Sequence, residues 1–439
     1  MSRFWFWIQI RNSVRYDVVS SIVDQALLSG GSVLLTAVLA YVLSPFEFGR
    51  FTIAWALAAL FESAILKPLL DDPLPSVAAV LSSGRVRQLR ACYYLWSTTL
   101  AGAIAGVAIM LSPFCVVAGH DERWLVAATG LMILGCRLQN ALRRVCYLDR
   151  RLRLIVCAAA LYFATLAAGV AIMIALGPSA PGAMLCSFFA SIAALSFVLV
   201  RRKDLKRPTA KMFFWSLRRL AAAGRWIVAA GLAFWAGSVG VIPVAGILLG
   251  GAAGGGLRIL FLLFAPLSQL TAALLSFMIP RAAVRLRERG DGAIRQVAIA
   301  KTLLFGALSA TYGLCVVVSG IYLVRAHVFP GAYGITVVQI CWMAAAMTLE
   351  GIWAGLALPL YATAQTSSFL VSRLVALPLL VTLFPIAAWM WGMTGTVAAI
   401  AATSATSVLV LARELRTNRP NAKPLREGSI VGAIRSEVL

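Results

Sequence analysis

Residues 39–55 read LAYVLSPFEFGRFTIAW, and two long apolar runs meet there over one short polar break. The run before the break covers residues 21–43 and carries no charge after Asp24. The run after it covers residues 51–70 and contains two charged residues, one of which is Glu62. Each run is long enough to cross the ~30 Å hydrocarbon core of a bilayer as a helix. The stretch therefore predicts a transmembrane helical hairpin.

The break itself, residues 44–50, predicts a tight reversal outside the lipid. Pro45 lacks a backbone N–H, and Gly49 tolerates unusual backbone angles. Glu47 and Arg50 add charges that stay in water. The whole break is therefore expected to be a loop.

The composition of the chain extends this interpretation to the whole protein. Of its 439 residues, 61% are apolar and 13% are charged, whereas soluble domains carry about 25% charge. The chain is therefore expected to be an all-α polytopic membrane protein. The aromatic and basic residues 1–20 predict an interfacial segment on the cytoplasmic leaflet.

Apolar runs of spanning length recur along the chain and predict twelve transmembrane helices. They lie at about 21–43, 50–70, 91–112, 124–142, 154–176, 182–200, 226–248, 257–280, 297–323, 335–359, 368–389 and 394–413.

Basic residues fall on one side of this arrangement. The N-terminal segment, alternate connections and the tail hold 32 of the 39 lysines and arginines. The positive-inside rule then places both termini in the cytoplasm. This distribution accounts for the net charge of +23, because cytoplasmic arginines meet the anionic leaflet. No soluble basic domain remains to bind nucleic acid, so no nucleic-acid partner is expected.

The largest basic connection divides the chain into two halves. Residues 21–200 form a predicted N-terminal lobe with spans one to six, and residues 226–413 form a C-terminal lobe with spans seven to twelve. Between them, residues 201–225 predict a cytoplasmic linker with an amphipathic surface helix, and residues 414–439 form a cytoplasmic tail. Each half opens with a hairpin, the second one with a glycine-rich loop at 249–256. The halves are therefore expected to be pseudo-symmetric around a central cavity.

Several short motifs resemble those of one transporter family. LSPFEFGRF after the first span is similar to the first-hairpin signature of polysaccharide-unit (O-antigen-unit) flippases, which belong to the multidrug/oligosaccharidyl-lipid/polysaccharide exporter superfamily. Asp24-Gln25, Arg258, Pro280-Arg281 and the last span from Gly392 also look like that family. The second-hairpin loop GGAAGGG departs from the family's usual pattern.

The resemblance implies a flippase of the bacterial inner membrane. It would carry a polyprenyl-diphosphate-linked oligosaccharide, an O-antigen, capsule or exopolysaccharide unit, to the periplasmic leaflet by alternating access. The lipid-linked oligosaccharide and membrane lipids would be its partners, with a polysaccharide polymerase and export proteins as further ones. No cofactor is expected, and two histidines and eight scattered cysteines without a CxxC do not suggest a metal site.

Charged side chains inside the predicted spans are the candidate substrate site, because an ionisable group at mid-membrane usually faces protein or water. Arginine suits a diphosphate, since its planar fork donates paired hydrogen bonds to phosphate oxygens. The candidates are Arg258, Arg373, Arg137, Glu62, Glu350, Asp24, Gln25 and Arg50.

Six of these eight candidates also have a purely structural interpretation. Arg258 and Arg373 lie near span ends and would then snorkel to head groups. Arg137 would belong to the basic cluster of the following loop, and Glu350 to a structural ion pair. Asp24 would cap the first span, and Arg50 would be solvated.

Three other functions remain open. A cation-coupled multidrug exporter of the same superfamily would have a more acidic interior. The charged candidates deep in the spans here are three arginines and two glutamates. A membrane glycosyltransferase or polymerase is disfavoured because the outer loops are too short to build a catalytic site. A purely structural subunit leaves the buried charges unexplained.

Overall fold

The computed structural model describes residues 23–79, 81–117, 120–149, 151–201, 208–289, 292–326, 329, 331–362 and 367–417. The predicted interfacial segment 1–20 lies outside these residues, as does nearly all of the predicted tail 414–439. The chain forms two compact units, Met1–Arg225 and Trp226–Leu439, which are called the N-lobe and the C-lobe below.

The described chain is almost entirely helical. The helices are α1 (Val23–Val42), α2 (Pro45–Asp71), α3 (Leu74–Ala79), α4 (Ser83–Leu111), α5 (Arg123–Leu148), α6 (Leu152–Leu176), α7 (Ala180–Arg201), α8 (Ala210–Gly237), α9 (Val241–Leu249), α10 (Gly251–Leu263), α11 (Ala265–Arg289), α12 (Gly292–Arg325), α13 (Val337–Ala362) and α14 (Ser367–Thr417). Two antiparallel two-residue strands, β1 (Val116–Val117) and β2 (His120–Asp121), lie in the α4–α5 connection.

The described helices supply the twelve predicted spans. Ten helical stretches, one of which consists of α8 and α9 together, are long and apolar enough to cross a membrane, and α10 and α11 make an eleventh across a bend of 49°. The last of the ten, α14, is broken at Gly392, whose φ of 56° is left-handed, so it consists of two helices. The predicted all-α polytopic fold in two lobes is confirmed.

The first hairpin turns more sharply than the sequence suggested. Only Leu43 and Ser44 separate α1 from α2, so the prediction of a loop over residues 44–50 was wrong. Pro45 is the first residue of α2. A backbone N–H at that position has no acceptor within the helix, so its absence in proline costs no hydrogen bond. The Ser44 side chain caps the helix by accepting from the backbone N–H of Glu47 at 3.2 Å. Gly49 is helical and buried.

The second hairpin differs from its prediction in the same way. Residues 249–256 were expected to form a glycine-rich loop, but α9 ends at Leu249 and α10 begins at Gly251. Only Gly250 breaks the helix, and its φ of 92° suits glycine. Helix α10 therefore starts with glycines that are helical, and Gly254 packs against Gly246 of α9. Small residues at these positions let the two helices approach closely.

The predicted linker packs onto the N-lobe. Helix α8 begins at Ala210, well before the predicted span, and its first turns contact α4. The rings of Phe213 and Trp96 stack with centroids 4.0 Å apart, and Trp96 Nε1 donates to the Phe213 carbonyl at 3.0 Å. Leu220 is buried in the hydrophobic cluster that contains Leu70 and Tyr93. From Ala210 onward this segment is thus a packed helix that belongs to the N-lobe.

Candidate functional site

Arg137 lies at the centre of the N-lobe interior. Its side chain, on α5, is completely buried and pairs with both oxygens of Asp71 at the end of α2, one at 3.1 Å. Arg137 also donates to Ser97 Oγ at 3.0 Å, and the Tyr93 hydroxyl donates to Asp71 at 2.6 Å. A buried guanidinium is tolerated in such a place because an opposite charge and hydrogen-bond acceptors surround it.

A π-helical segment of α2 brings two carboxylates to this arginine. Residues Leu60–Asp71 form a π-helix, whose turns are wider than those of an α-helix. Glu62 and Asp71 are nine residues apart, which is about two and a half turns of α-helix and would put them on opposite faces. The wider π-helical turn returns them to one face after about two turns. Glu62 Oε1 accordingly lies 3.6 Å from Arg137.

The same interior extends to the start of the chain's first helix. Asn140 Nδ2 donates to Glu62 at 2.8 Å, and Arg143 donates to Asn140 Oδ1 at 3.3 Å. Arg143 also pairs with the buried carboxylate of Asp24, to which the Tyr147 hydroxyl donates at 2.6 Å.

These groups form one continuous set, called the N-lobe network below. Its members are Asp24, Glu62, Asp71, Tyr93, Ser97, Arg137, Asn140, Arg143 and Tyr147. Asp24 lies inside α1 and binds side chains there, so it does not cap that helix.

Arg50 belongs to a separate cluster that ties three helices of the N-lobe together. It donates from two nitrogens to Glu122 Oε2, at 3.1 and 2.7 Å, and it pairs with Glu47. Glu47 in turn accepts from the backbone N–H of Ala180 at the start of α7. These contacts indicate a structural role for Arg50. The three residues Glu47, Arg50 and Glu122 are called the Arg50 clasp below. Gln25, predicted with the site, is exposed and donates to Ser29 one turn along α1 at 2.9 Å.

An ion pair between α13 and α14 lies in the C-lobe interior. Arg373 of α14 donates to both oxygens of Glu350 of α13, at 2.9 and 2.6 Å, and Ser404 donates to Glu350 at 3.0 Å. The guanidinium carbon of Arg373 lies 4.2 Å from the ring centroid of Trp353 and 5.2 Å from that of Phe234. Arg373 therefore does not snorkel, because it is held by a carboxylate and two aromatic faces. These residues are called the C-lobe pair below.

Arg258 lies in the first half of a broken span. It sits two turns into α10, is only 8% exposed, and has Leu257, Ile259 and Leu260 as buried neighbours in sequence. Helix α10 ends at Leu263 and α11 resumes at Ala265, with Pro266 in its first turn. Broken helices at membrane depth commonly build ion and substrate sites. Arg258 is buried, so it does not snorkel.

The structure thus groups the predicted residues into distinct sets. Arg137, Glu62 and Asp24 share the N-lobe network, and Arg373 and Glu350 form the C-lobe pair. Sequence reasoning missed Asp71, because its position beside Asp72 and Pro73 suggested the end of a span. It also missed Arg143, which was counted among the loop arginines, and Ser404. The contacts of these residues depend on the π-helical backbone of α2 and on which helices pack together, and the sequence shows neither.

Searches with the sequence alone found no match, either among protein-family models or among curated proteins. Comparison of the structure did find matches. A eukaryotic MATE transporter superimposes with a TM-score of 0.65 over 96% of this chain and 100% of its own, at 12% identity. The chain has the fold of these transporters. The lipid II flippase MurJ, in an inward closed conformation, matches with a TM-score of 0.63 over 92% of this chain and 87% of its own, at 11% identity.

A third similar structure shows that site polarity varies on this fold. It is a MOP superfamily transporter from Pyrococcus furiosus, described as having a binding pocket of reversed polarity that suggests a different function. It matches with a TM-score of 0.52 over 90% of this chain and 93% of its own, at 14% identity. Because function differs among proteins of one fold, the charges of this chain must identify its cargo.

Proposed function

We propose that the protein is a flippase for a polyprenyl-diphosphate-linked oligosaccharide. It would move an O-antigen, capsule or exopolysaccharide unit from the cytoplasmic to the periplasmic leaflet of the bacterial inner membrane by alternating access. A glycan and a diphosphate cannot cross hydrocarbon unaided, because each buried polar group costs several kcal/mol without a partner. The polyprenyl tail needs no such help.

The charge of the C-lobe interior is the observation that carries this proposal. Away from the helix ends, the described part of its spans contains two arginines with little solvent exposure, Arg258 and Arg373, and one carboxylate, Glu350. In the apolar part of a membrane protein such a cationic excess attracts an anion. A guanidinium offers a diphosphate paired, charge-assisted hydrogen bonds. The similarity of the fold to that of a lipid II flippase supports the same class of cargo.

The test is a transport assay on the purified protein in proteoliposomes. A fluorescent undecaprenyl-diphosphate oligosaccharide in the inner leaflet should become accessible to a glycan-modifying enzyme added outside. Empty liposomes provide the control for spontaneous transfer. Transfer no faster than in empty liposomes would contradict the proposal.

The alternative function is a cation-coupled multidrug exporter. The carboxylates of the N-lobe network favour it, since Asp24, Glu62 and Asp71 all lie within or at the ends of spans. The same vesicles, loaded with a cationic dye and given a proton or sodium gradient, separate the two functions. Gradient-driven dye transport without lipid transfer would establish the exporter instead.

A further inference from the structure

The first part of α8, residues 210–225, has two faces of different character. One face consists of residues three or four positions apart, which is the spacing of one side of a helix. These residues are Phe213, Ser216, Leu220 and Gly224. Phe213 stacks on Trp96 of α4, and Ser216 and Leu220 are completely buried. A Cβ atom on Gly224 would lie 2.6 Å from a backbone oxygen of α2. This face is therefore packed against the N-lobe.

The opposite face of this segment is exposed and positively charged. Lys211, Arg218 and Arg225 are exposed there, and Phe214, which lies between the first two, is 66% exposed. Residues 208–237 contain no aspartate or glutamate. Among the described residues, no carboxylate pairs with Lys211 or Arg218. The charges of these two side chains are therefore available to a partner outside the chain.

The contacts of α8 with α4 fix the level of this face relative to the membrane. Helix α8 meets α4 at Trp96 and, through a shared hydrophobic cluster, at Leu89. Leu89 follows two exposed arginines of the first turns of α4, Arg85 and Arg87, whereas Trp96 lies within the predicted apolar span 91–112. Basic side chains give way to apolar ones at the headgroup level of a bilayer, where tryptophan is also enriched. The first part of α8 therefore lies at this level.

The chemistry of the exposed face matches acidic phospholipids. An ammonium and a guanidinium form charge-assisted hydrogen bonds with phosphate oxygens, and basic residues at a membrane surface are attracted to anionic lipids. Phe214 adds an apolar ring of the kind that helices in the membrane interface insert at the acyl-chain boundary. Lys211 and Arg218 lie two turns apart, which is about 10 Å along a helix, so they reach different head groups. An abundant lipid meets this requirement better than a single cargo molecule.

We propose that the exposed face of the first part of α8 is a binding surface for acidic phospholipids. Lys211 and Arg218 bind the head groups, and Phe214 lies beside the acyl chains. The sequence predicted an amphipathic helix on the membrane surface, but the apolar face of that helix packs on protein, so the charged face is the one that meets lipid. This inference goes beyond the proposed function and does not depend on which cargo the protein carries.

A lipid titration of the purified full chain tests this proposal. The probe is a fluorescent phosphatidylglycerol in a non-ionic detergent, and phosphatidylcholine with the same acyl chains is the neutral reference. Lys211→Gln/Arg218→Gln should bind phosphatidylglycerol about 25-fold more weakly than wild type, because each basic residue near the surface contributes about 1 kcal/mol and about 1.4 kcal/mol corresponds to tenfold. Binding of phosphatidylcholine should not change.

The matched control removes the same charge from another helix. Arg295 and Arg325 are both exposed and lie near opposite ends of α12, and Arg295→Gln/Arg325→Gln should bind phosphatidylglycerol as the wild type does. All four substituted side chains are exposed, so both double variants should melt at the wild-type temperature when no lipid is added. If the first double variant does not fold, Lys211→Gln and Arg218→Gln alone should each weaken binding about fivefold.

A photoreactive group on α8 shows where the lipid binds. Phe214→benzoylphenylalanine should cross-link phosphatidylglycerol in preference to phosphatidylcholine, and less of it when combined with Lys211→Gln/Arg218→Gln. Wild-type affinity of Lys211→Gln/Arg218→Gln, or an equal loss in the α12 control, would overturn the proposal. Displacement of phosphatidylglycerol from this position by a much smaller amount of undecaprenyl diphosphate would also overturn it, because the surface would then belong to the cargo.

Discussion

The N-lobe network and the C-lobe pair manage buried charge in opposite ways. In the N-lobe, carboxylates from α1 and α2 meet arginines of α5, and neutral side chains such as Tyr93 and Asn140 add further hydrogen bonds. In the C-lobe, one carboxylate meets one arginine between two aromatic rings. The N-lobe network holds three carboxylates against two arginines, whereas the described C-lobe spans hold two arginines with little exposure, Arg258 and Arg373, against the carboxylate of Glu350.

The largest effect is expected from breaking the N-lobe network at its centre. Arg137→Leu leaves Asp71 and Glu62 buried without their guanidinium, and loss of one partner of a buried pair costs about 3–5 kcal/mol. We expect a marked fall in the melting temperature and yield of the detergent-solubilised protein. Adding Asp71→Leu in the same chain should restore part of the loss. A stable Arg137→Leu protein that has lost only transport would instead assign Arg137 to the cargo.

A smaller loss of stability is expected from the C-lobe pair. Arg373→Gln leaves Glu350 with Ser404 as its remaining partner, and an incompletely satisfied buried acceptor costs about 1–3 kcal/mol. Glu350→Gln leaves Arg373 between the rings of Trp353 and Phe234. We therefore expect Arg373→Gln to lose lipid binding and transfer, and Glu350→Gln to keep binding. Equal losses in both variants would show that the pair is only structural. Binding of a fluorescent polyprenyl diphosphate to each variant decides between these outcomes.

The smallest effect is expected at the Arg50 clasp. Arg50 is 18% exposed at its side chain, and ion pairs that solvent reaches contribute about 0.2–1 kcal/mol. Arg50→Gln should lower the melting temperature slightly and leave the transfer rate within about twofold of wild type. Loss of transfer without any change in melting temperature would instead assign Arg50 to the substrate site.

The comparison also shows what could be predicted from the sequence. The number of spans, the two lobes and the first hairpin follow from long apolar runs and short polar breaks, which do not depend on tertiary detail. The two turns were predicted too long, because Pro45 and the glycines after Gly250 are compatible with both a loop and a helix start. Tertiary contacts, which a single sequence does not display, decide between these states.

The site was predicted less completely than the fold. Glu350 and Arg373 are easily found as charges within apolar runs, but their pairing depends on how α13 and α14 pack. Asp71 was missed because its alignment with Glu62 exists only in a π-helix, and no residue pattern marks that change of backbone.

The most direct test of the account concerns Arg258, the buried cation of α10. Arg258→Ala should abolish transfer of the undecaprenyl-diphosphate oligosaccharide in proteoliposomes and surface-glycan export in cells, while membrane insertion remains normal. Arg325→Ala, which removes the same charge from an exposed position at the end of α12, should transfer the lipid at the wild-type rate. Wild-type transfer by a correctly inserted Arg258→Ala protein would contradict the assignment of the C-lobe cations to the cargo.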